Sequence, residues 1–266
     1  MKPFKKLTSE YIDSDKVLTD VDYWLNIQNP VIDLPAGGTC PSWYKHVSDL
    51  LPSSPESNCI EVGAVPGTTL LFLAKKLNYS CTGIDFSPRV QDLNTAFIKL
   101  GISAKFIKAD FLTWQSEELF NLVYSNGFIE HFEDYQSVIK KHWDLVKPGG
   151  LMLLTVPTLT PLQKLIRVIF YKESKMQEVL AIHNVKIMNL VNLKKSIQKL
   201  DNAIILKSNY ISEFKIWFSS DDPFIRSWTK PLFKPLFLLS RLLYKANISN
   251  SFFSPEALIL VRKKNI

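Results

Sequence analysis

A chain of 266 residues, 46% hydrophobic and 21% charged, can bury one sizeable core, and its composition excludes disorder, collagen-like repeats and low-complexity sequence. Three cysteines, Cys40, Cys59 and Cys81, lack C-x-x-C spacing, which excludes a disulfide framework and a zinc knuckle and points to a reducing, cytoplasmic setting. The formal charge of +7 suits an anionic partner, whether nucleic acid, a membrane surface or a phosphorylated substrate, and equally suits a lysine surplus that only aids solubility.

The basic start is followed by polar residues, not the apolar stretch of a secretory signal, so no export is expected. Residues 1–57 carry scattered aromatics (Tyr11, Tyr23, Trp24, Trp43, Tyr44) and end in the turn-rich Leu51-Pro-Ser-Ser-Pro55; they are read as a helical lead-in. From Asn58, short apolar runs alternate with helical stretches. Strands are predicted at Cys59 to Val62, Ser80 to Ile84, Lys105 to Lys108, Phe120 to Tyr124 and Leu151 to Val156, the last after a Lys147-Pro-Gly-Gly150 turn. Helices are predicted at Thr68 to Leu77, Pro88 to Lys99 and Tyr135 to Leu145. Such alternation implies an α/β, doubly wound, mostly parallel sheet. A basic helical segment follows from Pro161 to about Lys175, then a helix near Met188 to Leu200 and strands near Ala203 to Tyr210 and Ala257 to Val261. The core is thus assigned to 58–210 and 256–266. The long connection 211–255 is read as a substrate cap, because a short hairpin loop would join neighbouring strands.

The most informative stretch is Cys59-Ile-Glu-Val-Gly-Ala-Val-Pro-Gly-Thr-Thr-Leu70, a strand running through a glycine turn into a helix. Glycines there let the main chain approach a ligand, and the helix start offers free amides. Asp85 closes the next strand in Gly83-Ile-Asp-Phe-Ser-Pro88, where an acid accepts hydrogen bonds from ribose hydroxyls. Strand, turn, helix, strand and acid in that order describe a nucleoside site.

These residues make the chain resemble the class I S-adenosylmethionine-dependent methyltransferases, in the group with quinone and small-molecule acceptors, over about residues 57–157. Glu61, Gly63 and Gly67 fit the family's acid-x-Gly-x-Gly-x-Gly motif; Val65 stands at the middle glycine, and the loop is expected to move outward and still bind. Asp85 matches the ribose acid, with Phe86 beside the adenine, and Asp110 in Lys108-Ala-Asp-Phe111 matches the adenine-facing acid. The fourth motif resembles Phe120 to Phe132, and the glycine turn before the fifth strand resembles Val146 to Gly150. The later motifs argue against a dinucleotide dehydrogenase. The resemblance implies a Rossmann-like methyltransferase fold of seven strands with an antiparallel last strand. It implies S-adenosyl-L-methionine as cofactor, held by Glu61, Gly63, Ala64, Gly67, Asp85, Phe86, Asp110, Phe111 and Ser125.

In-line positioning supplies much of the acceleration of methyl transfer, and a base is needed only for hydroxyl-type acceptors. His131 and His183 are the candidates, each with a plain packing or capping role as the alternative. Some relatives hold a divalent metal with Glu-x-x-Glu-His; Glu130 and His131 are present, but Gly127 replaces the first Glu, and no metal is expected. Ser125-Asn-Gly-Phe128 lacks the prolines of exocyclic-amine methyltransferases, which disfavours DNA. The 211–255 segment is rich in aromatics and leucines, including Phe214, Ile216, Trp217, Phe218, Trp228, Phe233 and Phe237. Between Ile225 and Asn247 it has no acidic residue. Such a segment either rests peripherally on anionic lipid through 225–247 or buries its apolar face on the core. The expected reaction is O-methylation of a small-molecule or lipid-linked acceptor. The other readings are a cofactor-binding but inactive interaction subunit, or RNA methylation with salt-dependent binding.

Overall fold

The computed structural model describes residues 17–19, 21–27, 32–52, 54–212, 223–245 and 248–265. Before the sheet come two short helices, α1 (Val21–Ile27) and α2 (Tyr44–Val47), separated by turns and extended chain where a longer helical lead-in was expected. Seven strands then form one sheet: β1 (Asn58–Val62), β2 (Ser80–Asp85), β3 (Ala104–Lys108), β4 (Phe120–Asn126), β5 (Val146–Pro157), β6 (Ala203–Ile211) and β7 (Glu256–Lys263), in spatial order β3-β2-β1-β4-β5-β7-β6. β1 to β5 pair in parallel, and β7 runs antiparallel between β5 and β6, as the resemblance implied. β5 begins earlier than the sequence suggested, because Val146 already pairs with Phe120 across a register shift that absorbs the Pro148 and Gly149 turn residues.

Alternation along each strand sorts side chains to two faces. Ile60, Val62, Val123, Met152, Leu154, Ile259 and Val261 share one core with helices α5 (Tyr135–Asp144) and α8 (Leu190–Ile197). Cys59, Cys81, Leu122, Tyr124, Leu153 and Leu258 meet α3 (Thr68–Leu77) and Trp43 on the other face. α3 sits flat because its buried residues, Leu70, Leu71, Leu73, Ala74 and Leu77, recur at helical spacing. On the far side of β3, α4 (Val90–Lys99) buries Val90, Leu93 and Phe97.

The basic segment after Pro161 divides into α6 (Pro161–Phe170) and α7 (Glu173–Ala181). The described part of 211–255 packs on α6, where Ile166, Phe170 and Tyr171 enclose Ile225, Phe233 and Phe253. Its helix α9 (Phe233–Lys245) turns Phe233, Leu236 and Leu243 inward and leaves Phe237, Leu238, Leu239 and Leu242 exposed. Phe214, Ile216, Trp217 and Phe218 lie outside the described residues. No helix among the described residues is long and apolar enough to cross a membrane.

Candidate functional site

A cleft opens at the carboxyl ends of β1, β2 and β4, the edge where doubly wound sheets hold ligands. The turn after β1 makes its floor. Gly63 has φ +76°, in the left-handed region that favours glycine, and a Cβ there would stand 2.9 Å from the ring of Phe128. Main-chain N–H groups of Gly63 and Ala64 both donate to the Ile84 carbonyl, at 2.9 and 3.2 Å, which lashes the turn to the end of β2. Gly67, φ +84°, is the residue before α3 and packs under Leu93.

Asp85 is the hub. Its Oδ2 accepts from the Val65 N–H at 3.0 Å and its Oδ1 from the Ser87 N–H at 2.8 Å. Burial pushes its carboxyl above the usual range, against these hydrogen bonds, which favour the ionised form. Each oxygen keeps a second lone pair for a ligand hydroxyl. Asp110 Oδ1 accepts from Leu112 N–H at 2.9 Å, while its Oδ2 is buried without a partner. Phe86, Phe111, Ile84 and Ala109 supply an apolar lining between the two acids.

Val65 lines the cleft and is not at positive φ, so its side chain fills space without forcing the main chain into a glycine-only conformation. The Val65 N–H donates to Asp85 Oδ2 at 3.0 Å, which ties the loop to the end of β2.

Of the nine residues expected to hold cofactor, Gly63, Asp85, Phe86, Asp110 and Phe111 line the cleft, and Glu61, Ala64, Gly67 and Ser125 stand behind it. Strand alternation is the reason for Glu61, which lies within β1 beside Tyr124 and is 6% exposed. Burial first, and then the charge of Asp85, push its carboxyl up to about 8, against the Tyr124 hydroxyl and the Leu70 main chain. Ser125 is fully buried within β4, and its hydroxyl has no hydrogen-bond partner.

The opposite wall carries residues the sequence reading did not assign: Thr19, Trp24, Asn126, Phe128 and Phe132. Asn126, Phe128 and Phe132 stood inside the fourth motif. Thr19 and Trp24 had no local signal, because a remote segment delivers them: the Leu18 N–H donates to the His131 carbonyl at 2.8 Å, and Val17 bridges Phe132. Trp24 meets the His131 ring edge-on at 4.9 Å.

His131, in the 3-10 turn Ile129–His131, lines the cleft, and the His183 ring stands 4.7 Å from it. Burial first, and then His183, hold His131 down to about 4; burial also lowers His183. Both imidazoles are therefore neutral at pH 7. His131 Nδ1 donates to the Ile182 carbonyl at 3.0 Å, and His183 Nδ1 donates to the Val179 carbonyl at 2.7 Å, since a carbonyl can only accept.

An adenosyl sulfonium fits these residues. The left-handed turn removes side-chain bulk at Gly63, the unpartnered Asp110 Oδ2 can accept an amine hydrogen, and Asp85 faces a diol across an apolar slot.

The "Methyltransferase domain" family model matches residues 41–198. Trans-aconitate 2-methyltransferase of Methylobacterium radiotolerans is 30% identical over 99 residues, 37% of either chain. The protein of that name from Shigella flexneri serotype 5b is 25% identical over 149 residues, 50% of this chain and 58% of its own length. The matched stretches thus span between 37% and 58% of these relatives. Among solved structures, the plantazolicin methyltransferase BpumL, complexed with a triazolic desmethylPZN analogue and SAH, shares the fold at TM-score 0.54 and 14% identity, over 84% of this chain and 81% of its own. With the family model covering more than half of its length, the chain belongs to the class I S-adenosylmethionine-dependent methyltransferases.

Proposed function

We propose that the chain transfers a methyl group from S-adenosylmethionine to an oxygen of a small-molecule or lipid-linked acceptor, in a cytoplasmic setting. One observation carries this reading: the cleft joins Gly63, Asp85 and Asp110 at one end to a neutral His131 at the other, with apolar rings between them. When bound, the cofactor supplies a methyl group already activated on sulfur. The chain's part is positioning. Asp85 orients the ribose, Asp110 the adenine, and the Gly63 turn leaves room for the amino-acid end. Phe128, Phe132 and Trp24 exclude water on the acceptor side. His131 keeps the Nε2 lone pair and would take up the proton of a hydroxyl acceptor; a carboxylate acceptor brings no proton and needs no base. The relatives named for trans-aconitate support including that compound among the acceptors tested.

The test is incubation of the purified chain with radiolabelled cofactor and either trans-aconitate or total metabolite and lipid extract. Label in a base-labile ester or an ether supports the reading. Cofactor binding without transfer to any fraction would instead support an inactive interaction subunit.

A second element of the proposal is peripheral contact with anionic membrane through 225–247. Trp228, Leu232, Phe237, Leu238 and Leu242 are exposed beside the exposed cations Lys230, Lys234 and Arg241. Co-sedimentation with phosphatidylglycerol vesicles, and its loss on Phe237→Ser with Leu238→Ser, checks this contact.

A further inference from the structure

Beside the cleft lies a group of side chains that methyl transfer leaves unused as a set. Glu130, His131 and His183 bring one oxygen and two nitrogens within 4.8 Å of one another. His131 Nε2 is 3.8 Å from Glu130 Oε1, too long for a hydrogen bond. Glu130 is 2% exposed, and its Oε2 is buried without a partner. A buried carboxyl in that state normally has a counter-charge or a ligand.

The orientation of the rings is the stronger observation. Each imidazole gives its Nδ1 hydrogen to a main-chain carbonyl, His131 to Ile182 and His183 to Val179. Each is thereby fixed in one tautomer with Nε2 as a bare lone pair, the arrangement that outer-shell hydrogen bonds impose on metal-bound histidine. The two segments are stitched together: the Asn184 N–H donates to the Glu130 carbonyl at 2.6 Å, and Asn184 Nδ2 donates to the Phe132 and Glu133 carbonyls at 3.1 and 3.0 Å. Burial first, and then the charge of Glu256, push the Glu130 carboxyl up to about 8, so a bound cation takes the place of its proton, while the guanidinium of Arg167 acts on His183.

We infer that Glu130, His131 and His183 form a binding site for one divalent transition-metal ion, held by a carboxylate oxygen and two Nε2 atoms. Two imidazoles and one carboxylate suit zinc or ferrous iron and leave at least one position open. Donor atoms around zinc stand about 3.3 Å apart when metal–nitrogen bonds are about 2.0 Å, so the Glu130–His131 pair, at 3.8 Å, has to close by roughly 0.5 Å and no pair of the clustered donor atoms by more than roughly 1.5 Å. The sequence reading expected no metal because Gly127 replaces a carboxylate; the third donor comes from His183, on a different segment. Because His131 also lines the cleft, the ion stands at the acceptor wall, and by occupying Nε2 it takes the place of proton uptake there, so that His131 is the base only of the metal-free chain. The ion's service there, holding an acceptor oxygen, rests on the methyl-transfer reading, whereas the site itself does not.

The experiment is titration of chelator-treated full chain with cobalt(II) chloride, followed by visible absorption, with S-adenosylhomocysteine binding measured separately by calorimetry. One equivalent of cobalt is expected to give the intense d–d bands of a low-coordinate ion. His183→Ala and Glu130→Gln are expected to abolish the bands. Wild-type chain showing only the pale spectrum of aqueous cobalt overturns the site, whatever the variants do. So does cobalt binding that His183→Ala and Glu130→Gln, still folded by circular dichroism, leave unchanged. Cobalt binding without S-adenosylhomocysteine binding would keep this site and remove the methyl-transfer reading; the reverse pattern would do the opposite.

Discussion

At its cofactor end the cleft is built from main chain, and at its acceptor end from side chains. Gly63, Ala64 and Val65 on one strand end are joined to Ile84 and Asp85 on the next by three hydrogen bonds in which main-chain N–H groups donate, and a fourth, from Ser87 N–H to Asp85, closes the second strand end. The acceptor wall is a convergence of distant segments, with Trp24 against His131 and Ile182 bonded to His131 across 51 residues. Main-chain geometry tolerates little substitution at a few positions, whereas a wall of side chains spreads its function over many replaceable contacts. Substitutions at the cofactor end should therefore have the larger and more local effects.

Gly63→Ala is the severest test. A left-handed conformation costs a non-glycine residue about 1–2 kcal/mol, and the added methyl would meet the Phe128 ring at 2.9 Å. The Phe128 ring must then move, and it belongs to both ends of the cleft. Calorimetry with S-adenosylhomocysteine should show binding weakened by roughly 5–30-fold, from that conformational cost alone. Unchanged affinity would mean that the turn does not set the cofactor end.

Asp85→Asn comes next. It keeps shape and volume but replaces a charge-assisted acceptor of two main-chain N–H groups. Hydrogen bonds to charged groups contribute about 1.5–3 kcal/mol, so cofactor affinity should fall by roughly 10–150-fold. A drop in melting temperature without loss of affinity would reassign Asp85 to holding the turn alone.

The same contrast explains what the sequence made legible. Short apolar runs alternating with helical stretches from β1 to β5, and the glycine turn, are local patterns, so the sheet and Asp85 could be placed from their immediate neighbours, and Asp110 from its likeness to the family motif. Glu61 and Ser125 were included by motif position; both are buried, on opposite faces of the sheet, and neither lines the cleft. Thr19 and Trp24 could not be found, because their place depends on a segment crossing to His131 through the Leu18 main chain. The 211–255 insertion was read as a lid from its length. Its described part completes the apolar surface of α6, and length alone carries no direction of packing.

Glu61 sharpens the contrast through pH. Its folded pKa, near 8, lies above the unfolded value of about 4.3, so the folded chain binds more protons across that interval. The stability this group contributes is complete below the unfolded value and is lost as pH rises through about 8. His131 has the opposite sign. Held down to about 4, it stabilises above its unfolded value of about 6.5, and that contribution is lost as pH falls through the folded value. Glu61→Gln should therefore melt above wild type at pH 9 by a margin that shrinks at pH 6, with about 2–4 °C for each kcal/mol relieved. A margin independent of pH would show that the Glu61 carboxylate is compensated within the fold.

Val65→Gly has the smallest expected effect and bears most directly on the line between the two ends. The valine side chain enters the cleft, yet its N–H already serves Asp85, and glycine keeps that donor. Removing the side chain opens room for the amino-acid end of the cofactor. Against this, a more flexible turn must be ordered, a penalty of roughly 0.5–1 kcal/mol. The two terms nearly offset, and the net expectation is S-adenosylhomocysteine binding tighter by only a few-fold on calorimetry, with little change in melting temperature. Weaker binding would mean that the valine packs on the cofactor. The cofactor end would then owe part of its affinity to a side-chain contact, as the acceptor end does.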